Sequence, residues 1–71
     1  MFILFDDCGT IKRGSQYDCI HELVMWTKTP EAKEVYKLSE LLKIREYFMK
    51  NFNTEILEEI GFYGFTLKRE E

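Results

Sequence analysis

The side chains best suited to chemistry cluster near the amino terminus. The stretch ILFDDCGTI, residues 3–11, is an apolar run that ends in Asp6 and Asp7 and continues through Cys8 into a Gly-Thr turn. A carboxylate held at the end of a strand can act as a nucleophile or bind a hard divalent cation through its oxygens. The same pattern is typical of a strand that enters a tight turn, because Asp and Gly favour turn geometry.

This stretch resembles the nucleophile motif of haloacid-dehalogenase-like phosphatases, which is an aspartate, any residue, a second aspartate, and then Gly-Thr. The resemblance implies that Asp6 is the nucleophile and helps to hold magnesium, with Gly9 and Thr10 matching. The second acid of the motif is replaced by Cys8, which is a poor ligand for a hard cation. The rest of a 71-residue chain cannot supply the doubly wound sheet that carries the family's other catalytic groups. We therefore predict a strand and a turn here, without catalysis.

Cys8, Cys19 and His21 are the remaining residues that could bind a metal or act as a nucleophile. A structural zinc site uses four ligands, usually in two close pairs, and only three candidates are present. If residues 15–27 form a helix, Cys19 and His21 point about 200° apart and cannot share a metal or a proton. We expect no catalytic residue, no metal and no cofactor.

Size and composition predict one small domain spanning residues 1–71. The chain is 45% hydrophobic and has a net charge of −3, which provides no long-range attraction for phosphate backbones. The initial MFILF follows no basic region, and no stretch approaches the roughly 18 apolar residues of a membrane span. We expect a cytoplasmic protein in which both cysteines are reduced thiols.

The strongest helix signal begins at Thr29. Thr is a good N-cap, Pro30 suits the first helical position, and the negative charge of Glu31 opposes the helix dipole. We predict one long helix over residues 30–52 that buries its apolar side. The apolar side chains fall within an arc of roughly 140° when each residue turns about 100°: Val35, Leu38, Leu41, Leu42, Phe48, Met49 and Phe52.

Shorter elements flank this helix. FILF and TIKR predict an N-terminal hairpin, and alternating apolar residues predict a C-terminal strand at 62–68. Residues 15–27 start like a helix with a capping box, although a strand at 17–26 is an alternative. Residues 54–60 predict a short helix. Together these elements predict a small α+β domain with three antiparallel strands and helices on one face.

Arg45 lies at the centre of the predicted apolar arc. A guanidinium there must reach water or meet a polar partner, because its burial without a partner is costly. One interpretation is a structural pair or a side chain that extends outward. The other is that the chain's own sheet does not fully cover this face.

Tyr36, Ile44 and Tyr47 lie on the opposite side of the same helix. Tyr is favoured at protein interfaces because it combines a large contact area with a hydrogen-bonding tip. We interpret the three residues as a surface that binds another protein or a second copy of the chain. Ordinary packing under the short helix or the termini is the alternative.

The stretch GFYGFTLK resembles the aromatic strand of RNA-recognition motifs, in which rings two residues apart stack on bases. The resemblance implies base contact by Tyr63 and Phe65. Gly61, Phe62 and Lys68 depart from the motif, which has a basic residue, a glycine and an aromatic residue at these positions. A nucleic-acid surface would combine the two rings with four nearby basic residues: Lys12, Arg13, Lys68 and Arg69.

These observations favour a non-enzymatic interaction protein. We predict that it binds and modulates another protein or forms a homodimer, with a small nucleic-acid-binding module as the alternative. We expect neither a membrane nor, in the preferred interpretation, a nucleic acid as partner. A short chain rich in Lys, Glu, Phe and Tyr also resembles in its general character the accessory proteins of phages and other mobile elements.

Overall fold

A computed structural model describes residues 1–52, 54–56 and 58–70 of the chain. The chain forms a four-stranded antiparallel sheet in the order β2-β1-β4-β3 together with three helices, which confirms the predicted α+β class. The elements in chain order are β1 (Phe2–Asp6), β2 (Gly9–Gly14), α1 (Gln16–Trp26), α2 (Pro30–Val35), α3 (Leu38–Lys50), β3 (Glu59–Phe62) and β4 (Phe65–Arg69). None of these helices is both long and apolar enough to cross a membrane.

The sheet consists of two hairpins joined through their first and last strands. The central pair, β1 and β4, aligns Leu4 with Leu67, and both side chains are fully buried beneath the helices. Because side chains alternate along a strand, Ile3 and Phe5 lie on the opposite, open face of the sheet. Helices therefore cover one face only, as predicted.

The hydrophobic core lies between this sheet and the helices. Strands β1 and β4 contribute alternate residues, whereas α1 and α3 each contribute one narrow face. The core residues are Phe2, Leu4, Cys19, Ile20, Leu23, Ala32, Leu41, Ile44, Phe48, Ile56, Phe65 and Leu67.

Helix α1 confirms the helical interpretation of residues 15–27 and shows that the alternative strand at 17–26 is wrong. Ser15 is the N-cap, and its hydroxyl oxygen accepts a hydrogen bond of 3.0 Å from the backbone N–H of Asp18. This bond satisfies one of the free N–H groups of the first turn. The signal is local, so it could be identified in the sequence.

The prediction of one continuous helix over residues 30–52 is wrong. Tyr36 and Lys37 have extended backbone conformations, and they separate α2 from α3. The Tyr36 hydroxyl donates a hydrogen bond of 2.9 Å to the carbonyl oxygen of Tyr63, and Glu40 accepts one of 2.8 Å from the Lys37 N–H. The break thus directs Tyr36 towards the C-terminal hairpin, and α3 begins as a separate helix after its N-cap, Lys37.

The predicted helix at 54–60 is also wrong in the residues that the structure describes. The segment from Glu59 to Phe62 is instead β3, an edge strand that pairs with β4. The two residues 63 and 64 make the turn between them, so the predicted strand at 62–68 corresponds to the end of one strand and most of the next. Leu57, which the predicted helix included, lies outside the described residues. The sheet therefore has four strands rather than three.

Candidate functional site

Tyr36 lies where α2 ends, and it contacts aromatic rings from three directions. Its ring centroid is 6.3 Å from that of Trp26, 6.1 Å from that of Phe65 and 6.0 Å from that of Tyr63. The Trp26 and Tyr63 rings stand nearly perpendicular to it, at 84° and 85°. Edge-to-face pairs of this kind are favourable because the positive edge of one ring meets the negative face of the other.

The structure does not bring the three predicted partner-binding residues together on one exposed face. Ile44 is 0% exposed and belongs to the core. Tyr47 is half-buried, and its ring stacks on Phe62 of β3 at 4.5 Å. Tyr36 and Tyr47 are instead connected through the hairpin, because Phe62 contacts Tyr63 at 4.8 Å and Tyr63 contacts Tyr36. The two tyrosines thus lie along one aromatic row, with Ile44 in the interior.

The turn between β3 and β4 has an unusual backbone. Tyr63 has a φ of 51° and Gly64 a φ of 83°, so both central residues of this two-residue turn are left-handed. Two positive φ angles suit the twist of a hairpin, and Gly adopts them at no steric cost. For a tyrosine the same conformation costs about 1 kcal/mol or more. Tyr63 is held in place by its carbonyl bond with Tyr36 and by its ring contacts.

A depression lies beside this turn, where the β1–β2 turn, the end of α1 and the end of α2 meet. Its volume is about 350 Å³. Its lining combines aromatic rings, two carboxylates, one thiol and an exposed valine, and it contains no basic side chain. The residues are Asp6, Asp7, Cys8, Trp26, Val35, Tyr36, Tyr63, Gly64 and Phe65. We call this site the aromatic–acidic pocket.

Carboxylates dominate the charged groups around Tyr36 in this pocket. The pKa of the Tyr36 hydroxyl is raised above its ordinary value, first because the group is removed from water and then because Asp6, Glu40 and Asp7 disfavour a second negative charge. Within the described residues, the ion pairs join Arg13 to Glu70 and Arg69 to Glu55. Neither aspartate of the pocket takes part in these pairs, so their charges are not compensated by them.

Helix α3 presents a second candidate surface. Leu38, Leu42 and Met49 are 61%, 45% and 47% exposed, although the sequence predicts them in the core. At about 100° per residue they fall within roughly 40° of one another, whereas Leu41, Ile44 and Phe48 face the core about 110° away. We call Leu38, Leu42 and Met49 the α3 stripe.

Arg45 borders the α3 stripe and explains how a cation is accommodated there. Its Nε donates a hydrogen bond of 2.8 Å to the Thr27 hydroxyl oxygen, and Nη2 donates one of 3.1 Å to the Thr27 carbonyl oxygen. Thr27 is buried and ends α1, where a cation is favoured by the helix dipole. These contacts support the interpretation of Arg45 as a structural pair, because its guanidinium is hydrogen-bonded to Thr27.

The aromatic residues proposed for nucleic-acid contact do not form a stacking platform. Phe65 is 3% exposed and packs against Trp26 at 5.4 Å, on the face that the helices cover. Tyr63 lies in the turn and lines the aromatic–acidic pocket. Rings that stack on bases must present an open face, which Phe65 does not.

The basic residues proposed for the same role lie mostly towards the other end of the strands. Arg13 and Lys68 both align with Ile3, so they share the open face of the sheet. Acids lie among them, because Glu59 aligns with Lys68 and Glu70 pairs with Arg13 at 3.4 Å. The structure thus separates the basic residues from the two rings. These basic residues are Lys12, Arg13, Lys68 and Arg69.

Of the groups considered for catalysis, Asp6 and Cys8 both line the aromatic–acidic pocket, whereas Cys19 and His21 do not. Asp6 accepts a hydrogen bond of 2.8 Å from the Cys8 N–H, a local contact that stabilises the turn. Cys19 is buried, and its sulfur contacts the carbonyl oxygens of Phe2 and Lys12 at 3.7 and 3.8 Å. His21 is exposed on the same helix. Across the described ranges, no group of three or more His, Cys, Asp or Glu residues is arranged to hold a metal ion.

Comparison of this chain with protein-family models, with curated proteins and with solved structures finds no match.

Proposed function

We propose that the chain is a non-enzymatic protein-binding module that contacts another protein, or a second copy of itself, through the α3 stripe. The observation that carries the proposal is the exposure of Leu38, Leu42 and Met49 on one side of α3. Isolated exposed apolar residues are common, but several on the same side of one helix favour an interaction site. Helices that present apolar residues at i, i+4 and i+11 commonly dock against a groove or another helix.

Size is compatible with such a role. An interface of ordinary dimensions buries about 800 Å² on each partner, which is roughly one sixth of this chain's 4888 Å² of accessible surface. The stripe would form the apolar centre, and the exposed polar residues of α3 beside it, including Ser39, Lys43 and Glu46, would form the rim. The proposed setting is the cytoplasm, because Cys8 and Cys19 are both free thiols, which persist in reducing compartments.

Sedimentation equilibrium from about 1 μM to 1 mM tests self-association. The test variant carries Leu38→Lys and Leu42→Lys, which place two charges in the stripe. Glu31→Gln with Glu34→Gln on α2 is the control, because it changes the net charge equally at exposed positions. If the wild type dimerises, we expect the stripe variant to weaken dimerisation at least about tenfold, as central contacts commonly cost more than 1 kcal/mol.

A wild type that stays monomeric calls for the second arm of the experiment. Nuclease-treated lysate is passed over immobilised wild type, stripe variant and control, after circular dichroism has established that all three are folded. The proposal predicts a protein that the wild type and the control retain and the stripe variant loses. It is refuted if all three retain the same proteins. Material lost on nuclease treatment would favour the nucleic-acid alternative.

A further inference from the structure

We propose that the aromatic–acidic pocket binds the cationic head of a basic side chain, an arginine or a lysine of a partner protein. The proposal concerns a different part of the molecule from the α3 stripe. None of the three stripe residues lines the pocket. The two proposals can therefore fail separately.

The walls of the pocket suit a cation because they expose aromatic surface. Trp26, Tyr36 and Tyr63 are half-buried, and all three line the pocket. Trp26 and Tyr63 are each nearly perpendicular to Tyr36, and this arrangement surrounds a concave space rather than closing into a stack. A cation within about 6 Å of a ring face is attracted by the ring quadrupole, and Trp and Tyr are the strongest such partners.

The rim of the pocket suits a cation because it is anionic. Asp6 and Asp7 line the space, and among the described residues no lysine, arginine or histidine does. Only one described hydrogen bond involves their side chains, the bond from the Cys8 N–H to Oδ1 of Asp6. The carboxylates are therefore free to accept hydrogen bonds from a guanidinium or an ammonium group, which are stronger than those between neutral groups.

Charge disfavours anionic and uncharged apolar occupants. An anion would be repelled by the two carboxylates, and an uncharged apolar group would remove them from water without offering a hydrogen bond. A basic side chain suits both the apolar walls and the carboxylates of the pocket. Its apolar stem can contact Val35 and the rings while its charged head contacts the acids. Among protein side chains, only arginine and lysine combine these properties with a permanent charge near neutral pH.

The geometry is also held in place before any ligand arrives. The bond of 2.9 Å from the Tyr36 hydroxyl to the Tyr63 carbonyl joins two walls of the pocket, and the left-handed conformation of Tyr63 positions its ring at the rim. A site that is already ordered loses less conformational entropy when it binds.

The only tryptophan of the chain, Trp26, reports on this pocket. The probe is a blocked peptide with arginine at its centre and glycine elsewhere, titrated at constant ionic strength while tryptophan fluorescence is recorded. The matched probe replaces arginine with citrulline, which has the same shape without the charge. Methylguanidinium chloride shows whether the head group is sufficient without a peptide backbone. We expect saturable changes with the arginine peptide and none with the citrulline peptide.

Substitutions test the role of the carboxylates. Asp6→Asn with Asp7→Asn keeps the size of both side chains and the acceptor that serves the Cys8 N–H. Glu58→Gln with Glu59→Gln is the control, because these residues lie outside the pocket and the substitution removes the same charge. We expect the pocket variant to bind the arginine peptide about twofold or more weakly, because exposed charge pairs each contribute a factor of about 1.4 to 5. The control should bind like the wild type.

The proposal is overturned if the citrulline peptide produces the same fluorescence change as the arginine peptide. It is also overturned if the folded pocket variant binds the arginine peptide as tightly as the wild type does. Should the double variant fail to fold, Asp7→Asn alone provides the test, because Asp7 is exposed. The affinity of the Asp7→Asn variant for the arginine peptide must then be lower than that of the control variant. Binding of methylguanidinium as tight as that of the arginine peptide would refute the participation of the side-chain stem and assign the pocket to small free cations.

Discussion

Replacing Ile44 with alanine should strongly destabilise the protein. Ile44 is 0% exposed and packs in the core with Leu41 and Phe48 of the same helix. Ile→Ala at such a site removes buried methyl and methylene groups and leaves a cavity, at a cost of about 2–5 kcal/mol. A 71-residue domain has a free energy of unfolding of about 4–10 kcal/mol. The substitution should therefore remove about a fifth or more of the total stability.

Leu42→Ala provides a matched control two residues away on α3. Leucine and isoleucine have the same number of carbon atoms, but the Leu42 side chain is 45% exposed. Its truncation removes less buried apolar surface, and alanine is slightly better than leucine in a helix. We expect a loss of about 0.5 kcal/mol. The pair isolates burial as the variable.

Urea denaturation followed by far-ultraviolet circular dichroism gives both free energies, at protein concentrations low enough to keep the chain monomeric. Thermal denaturation should show the same order, because 1 kcal/mol shifts the Tm of a domain of this size by about 4–8 °C. Equal losses in the two variants would refute the assignment of Ile44 to the core. A larger loss for Leu42→Ala would restore the predicted orientation of the helix, in which Leu42 is buried and Ile44 contacts a partner.

Two further predictions concern titrating groups. Cys8 is exposed and should react with a thiol reagent in the native protein. Cys19 should react only on unfolding, because it is buried and this burial raises the pKa of its thiol. Rapid reaction of both thiols in the native state would contradict this prediction. The pKa of the Tyr36 hydroxyl is raised above 10.0 in the folded state. Above pH 10 the unfolded chain therefore loses this proton before the folded chain does. The free energy of unfolding should fall as pH rises through the folded pKa. Denaturation between pH 9 and 12 should show a smaller decline for Tyr36→Phe than for the wild type, and an unchanged slope would refute the raised pKa.

Some elements of this fold are encoded by neighbouring residues and were predictable. Ser15 and Asp18 begin α1 through a contact three residues apart, and Thr29 begins α2 through a bond to the N–H of Ala32. The N-terminal hairpin is signalled by the turn-forming residues Asp7 and Gly9, which lie at the connection between its strands. Each of these signals involves residues only a few positions apart in the sequence, so it can be identified without knowledge of the rest of the molecule.

The candidate sites could be predicted only in part. Tyr36 was identified as a contact residue, but its position in a pocket with Asp6 and Tyr63 depends on contacts between segments 27 or more residues apart. Periodicity predicts the residues of the α3 stripe in the core, whereas the structure exposes them. Trp26 and Asp7 carried no signal that could have placed them together.

The sequence by itself determined the fold class and the starts of the first two helices. The tertiary structure decided where the long helical pattern breaks, which strand pairs at the sheet edge, and which side of α3 is buried. Around the axis of that helix, its apolar side chains span an arc of roughly 160°, with Ile44 at one edge and Leu42 at the other, when each residue turns about 100°. The chain's own sheet and helices cover only one part of this arc. Local periodicity cannot select that part, because the choice depends on contacts with residues far away in the sequence.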